Sequence, residues 1–169
     1  MEIKKVIAQL KYQAQAINAL AADLTLEEAR WRPEPESWSV LEVLNHLVDE
    51  EMLDFRDHLG YILFTPDQPW PEIDPRAWVT EKQYNQSLLD EILQKFKSER
   101  EKSIAWLFGL SNPDWDSFVP APWGKLTAGD MLASWLAHDL LHLRQLVELR
   151  YALTAKTSQP YHIEYAGEW

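Results

Sequence analysis

The chain has 169 residues, long enough to bury a core without covalent staples, and it reads as one domain spanning 1–169. It has no cysteine, which excludes disulfides, thiolate metal sites and a cysteine nucleophile. Lys and Arg number 16 against 27 Asp and Glu, a formal charge of -11, so a phosphate-binding surface for nucleic acid is not expected.

The opening MEIKKVIAQLKYQ lacks a long apolar run, and no stretch reaches the roughly 20 apolar residues of a membrane span. A soluble cytoplasmic protein is the expectation. Ile3, Val6, Ile7, Leu10, Ala14, Ile17 and Ala21 follow helical spacing and predict a first helix from about Glu2 to Ala22. The ten prolines gather at 33–35, 66–75, 113–122 and 160, outside the periodic segments, and mark the loops.

Ser39 and Glu42 form an S-x-x-E capping box, which starts a second helix near Val40 and carries it to about Leu63. The segment TPDQPWPEIDPRAW is a proline-rich excursion of a length that often has a function. Ser87 with Asp90 is the expected cap of a third helix reaching about Leu110, whose KFKSEREK stretch reads as a solvated charged face. Thr127 and Asp130 cap a fourth, strongly apolar helix, MLASWLAHDLLHLRQLVELRYAL, expected at the centre of the fold. The tail TAKTSQPYHIEYAGEW reads as irregular chain docked over the surface by Tyr161, Tyr165 and Trp169. Four such helices satisfy one another best in an all-α bundle.

His138 and His142, four apart on the fourth helix, project from one face with Met131, Trp135, Gln145 and Leu149. That spacing suits a metal chelate. It also suits two core histidines hydrogen-bonded to Gln145 and Asp139. His46, on the second helix, is a third ligand if the second and fourth helices are neighbours. Glu50, one turn beyond His46, can accept a ring N–H, act as a fourth ligand or serve as a general base; it can equally be an exposed carboxylate in the run DEE. His58 lies twelve positions from His46, about 120° away on an ideal helix, and is left out of the site together with His162. Trp38, Trp70, Trp78 and Trp123 are candidates to wall an apolar pocket above the metal.

The segments WSVLEVLNHLVDEE and LTAGDMLASWLAHDLLHLRQL, in this order and spacing, resemble the DinB-like family of four-helix-bundle proteins, relatives of the bacillithiol and mycothiol S-transferases. The resemblance covers nearly the whole chain. It implies a four-helix bundle with a long crossover connection and extra loop segments, frequent homodimerisation, and His46, His138 and His142 as ligands of a metal ion. A divalent ion, Zn or Ni, is the expectation, since imidazole ligands suit both. It does not fix the chemistry. The expected function is a metal-dependent enzyme that activates a small thiol or water for transfer or hydrolysis of a small-molecule substrate, with a low-molecular-weight thiol as one candidate. The alternatives are a non-catalytic metal-containing binding or stress-response protein, and a structural dimer whose histidines form a dry polar network.

Overall fold

The computed structural model describes residues 2–70 and 72–167. Among these residues, seven α-helices run in the order α1 (Ile3–Ala21), α2 (Leu26–Arg30), α3 (Val40–Asp49), α4 (Arg56–Phe64), α5 (Pro75–Glu81), α6 (Leu89–Gly109) and α7 (Ala128–Thr157). A π-helical segment, Glu50–Phe55, joins α3 to α4 without a break. Strands β1 (Phe118–Ala121) and β2 (Gly124–Thr127) form a tight antiparallel hairpin before α7, a small addition to the all-α bundle that the sequence reading did not foresee.

Four long rods make the bundle: α1, the α3–π–α4 unit, α6 and α7. Helix α1 packs against α6 and α7, and the α3–π–α4 unit packs against the same two helices. Chain-consecutive rods therefore sit diagonally at two of the three connections, and the chain must cross the bundle twice. The apolar residues that α1 buries, Val6, Ile7, Leu10, Ile17 and Ala21, are among those its periodicity marks; Gln13 is buried with them and donates to the Leu136 carbonyl at 3.0 Å. One apolar cluster gathers Ile17, Leu44, Leu47, Phe96 and Leu146, and a second gathers Leu10, Phe55, Leu59, Leu107 and Trp135.

The Ser39–Glu42 and Thr127–Asp130 capping boxes form as expected. The Glu42 backbone N–H donates to Ser39 Oγ at 3.2 Å, and the Asp130 N–H donates to Thr127 Oγ1 at 3.0 Å. A third box, Thr25–Glu28, starts the short α2 within the expected link. The Ser87 cap does not form: α6 begins after Leu88, which occupies the cap position without a side-chain bond, and the Ser87 hydroxyl one residue earlier donates to Asn45 Oδ1 at 3.1 Å.

Three further expectations are corrected. The KFKSEREK stretch is not wholly solvated, since Glu99 and Arg100 are buried. Arg100 donates to Glu51 at 2.8 Å, to both Asp139 oxygens at 2.6 and 3.0 Å, and to the Leu10 carbonyl at 3.0 Å. Three groups on the three other rods thus compensate a charge that would otherwise stay in water. The excursion after Phe64 is partly helical, with Asp74 capping α5. The start of the tail extends α7 to Thr157, while Tyr161 and Tyr165 are exposed and do not dock; Trp169 lies outside the described residues.

Candidate metal centre

Helix α3 is held at its start by the Ser39 box, and α7 by the Thr127 box. Packing between these two rods brings His46 against the His138–His142 pair. His142 Nε2 lies 3.1 Å from His138 Nε2, and His46 Nε2 lies 3.4 Å from the same atom. One donor atom from each ring lies within 4.8 Å of those of the other two. The three residues proposed from the sequence are therefore together.

Hydrogen bonding alone serves this arrangement poorly. An imidazole nitrogen has one in-plane proton or one lone pair, so His138 Nε2 cannot make a good bond to both neighbours at once. A tetrahedral ion fits better: two nitrogens each at the usual zinc distance stand about 3.3 Å apart, close to the spacings observed. His142 Nδ1 donates to Gln145 Oε1 at 2.8 Å, which leaves the His142 Nε2 lone pair facing the other rings. Of the two partners the sequence offered, Gln145 is used; Asp139 is taken by Arg100.

Burial keeps the rings neutral. It pulls His46 down from 6.5 to about 3 and His138 to about 4, with nearby histidines adding to both shifts, and it lowers His142 as well. Neutral imidazole is the form that binds metal.

Glu50 is buried, not an exposed member of the acidic run. Its Oε1 stands 3.8 Å from His46 Nδ1 and its Oε2 stands 4.0 Å from His138 Nε2, so it flanks the three-nitrogen cluster. Both His46 Nδ1 and Glu50 Oε1 are buried without a hydrogen-bond partner, facing each other just beyond bonding range. Burial, with a hydrogen bond to Asp54 and the charges of Asp54 and Asp49, pushes the Glu50 carboxyl up to about 9.

The π segment extends this arrangement in a way that helical periodicity missed. On an α-helix each step of four residues overshoots a full turn by about 40°, so positions 46, 50, 54 and 58 spiral apart. The wider π turn undershoots for the same step and offsets that drift. Glu50 consequently bonds Asp54, and His58 Nδ1 lies 2.6 Å from Asp54 Oδ1. His58 is buried and stacked on Trp70, with ring centroids 4.1 Å apart. Burial raises the Asp54 carboxyl, but the bonds from His58 and Glu50 outweigh it and hold the group low. His58 is thus outside the three-histidine cluster, as expected, yet linked to it through two carboxylates. His162 is exposed beside Glu164.

Of the four candidate tryptophans, only Trp38 contacts the cluster. It is edge-on to His46 at 5.0 Å and nearly parallel to His142 at 6.3 Å. Trp70 backs His58, Trp78 lies under Lys82, and Trp123 is exposed at the hairpin. Phe55 closes the side next to His138. A cavity of about 480 Å³ opens on His142, bounded by Glu36, Ser37, Trp38, Gln145, Glu148 and Leu149, with Pro33 at its edge.

The fold and site define a mostly helical four-rod bundle in which three imidazoles, of a type and spacing that could hold a metal ion, converge beside a buried carboxylate. The profile of the DinB superfamily matches residues 9–146, and the chain belongs to that superfamily. Among solved structures, the fold is similar to YfiT from Bacillus subtilis, described as a probable metal-dependent hydrolase with an unusual four-helix bundle topology. The TM-score is 0.78 at 18% identity, covering 90% of this chain and 87% of that one. A conserved protein from Enterococcus faecalis is also similar, with a TM-score of 0.68 at 16% identity over 90% of this chain and 96% of that one. No curated protein matches the chain.

Proposed function

We propose that His46, His138 and His142 hold one divalent ion, zinc or nickel, and that the protein is a metal-dependent hydrolase of a small molecule. The convergence of three Nε2 atoms with spacings of 3.1 and 3.4 Å carries this reading. The description of the similar YfiT as metal-dependent supports it. A divalent ion bound by three neutral imidazoles supplies Lewis acidity and brings the pKa of bound water towards neutrality.

The chain's own groups supply the rest. Gln145 fixes the tautomer of His142, and Trp38 and Phe55 wall the cluster with aromatic surface. Glu50 is the proton-handling group, placed within 4.0 Å of His138 Nε2; in the metal-free chain it holds its proton and passes a hydrogen bond to Asp54, and the charge of a bound cation would lower its carboxyl so that it accepts one. Substrate enters through the cavity that opens on His142.

The same reading takes residues 1–169 as one domain in a cytoplasmic setting, among whose described residues no helix is long and apolar enough to cross a membrane. It also takes the protein as a homodimer, for which the exposed Leu140, Leu141 and Val147 of α7 offer an apolar stripe. Sedimentation measures that state directly. The catalytic reading is tested with 4-nitrophenyl acetate and protein stripped by chelator, then reloaded with zinc. Hydrolysis should appear with zinc and be absent from His138→Ala; equal rates with and without zinc would overturn the hydrolytic assignment.

A further inference from the structure

The cavity beside His142 has a charge pattern that narrows what enters it. Its lining includes two carboxylates, Glu36 and Glu148, and neither Lys nor Arg. The adjacent Arg144 donates to Glu148 Oε1 at 3.0 Å, but that arginine is largely in water and offsets only one of the two charges. Trp38 adds an aromatic ring to the lining and Leu149 an apolar side chain. Carboxylates around an aromatic ring form the combination that receives an ammonium group.

We infer that the substrate carries a positively charged ammonium group, seated between Glu36, Glu148 and Trp38, away from the bond that reacts. This inference rests on the proposed function for the location of that bond; the ammonium seat itself requires no metal. A substrate bearing several carboxylates, including an acidic low-molecular-weight thiol, would meet like charge at the same rim.

The test uses metal-free protein and compares choline with its uncharged isostere 3,3-dimethylbutan-1-ol by titration calorimetry or ligand-observed NMR. Choline should bind about threefold to fivefold more tightly, as one or two partly exposed carboxylates allow. That preference should shrink in 0.5 M salt, about three times physiological ionic strength. It should vanish in Glu36→Gln/Glu148→Gln, persist in Glu91→Gln, an exposed carboxylate of α6 outside the cavity lining, and grow in Arg144→Gln, which frees Glu148. Equal binding of the two ligands, no saturable binding of choline, or a preference that survives the double substitution would overturn the inference. Because the protein is metal-free, these results do not depend on whether zinc binds or hydrolysis occurs.

Discussion

Gln145 Oε1 takes the Nδ1 proton of His142 at 2.8 Å, and this bond decides which nitrogen His142 turns towards His138. Removing the acceptor leaves the ring free to rotate or change tautomer. Gln145→Ala should therefore weaken zinc binding about tenfold, with the fold intact, as partners behind metal-ligating histidines do elsewhere. Competition against a chromogenic chelator measures it, and unchanged affinity would remove Gln145 from the site's construction.

Glu50 gives a pH-dependent prediction in the metal-free protein. Its carboxyl is raised by burial from 4.5 to about 9, so the folded chain holds the proton more tightly than the unfolded chain does. The associated stability is present below 4.5 and is lost as pH rises through about 9. Glu50→Gln keeps the shape without the titration. It should be more stable than the parent near pH 9, on the order of a few kcal/mol, with little difference near pH 4.5. In the zinc-loaded protein the same substitution should keep the metal and slow hydrolysis about 100-fold or more.

The histidines act in the opposite direction. Burial lowers His46 to about 3 and His138 to about 4, so the unfolded chain takes up protons first as the solution is acidified. The stability due to neutral rings is full above 6.5 and is lost as pH falls towards those values. Protons should then compete with zinc only as the pH nears 4, and a dialysed sample should keep its zinc at about pH 5. Release with a midpoint near 6.5 would show that the rings are not held neutral by burial.

Arg100 tests the core that supports the site. Arg100→Leu leaves Glu51 and Asp139 buried without their partner and should cost about 3–5 kcal/mol in urea unfolding. Adding Glu51→Gln and Asp139→Asn should restore much of that loss, since no uncompensated charge remains. A small cost for the single substitution would mean that water reaches the network.

Local features of this fold were legible in the sequence and long-range ones were not. The Ser39 and Thr127 caps and the His138–His142 spacing depend on neighbours three or four residues apart, and each forms as read. Placing His46 with that pair needed two helices to be adjacent, which periodicity cannot state and the family resemblance implied. Ser87 misled because α6 starts one residue later than its spacing to Asp90 suggests, with Leu88 at the cap position and the Ser87 hydroxyl turned to the distant Asn45. Arg100 looked solvated because its three partners lie on other rods of the bundle. The alignment of Glu50, Asp54 and His58 escaped because an α-helical wheel was applied across a π segment. The only prior signal for it was the presence of four polar residues at steps of four, from His46 to His58.

Elemental analysis of protein purified without a histidine tag, after incubation with zinc or nickel and extensive dialysis, tests the central claim most directly. The account predicts about one equivalent of retained ion, lost in His138→Ala while far-UV circular dichroism still reports a helical bundle. Retention of the ion by His138→Ala, or no retained ion in the parent protein, would contradict it.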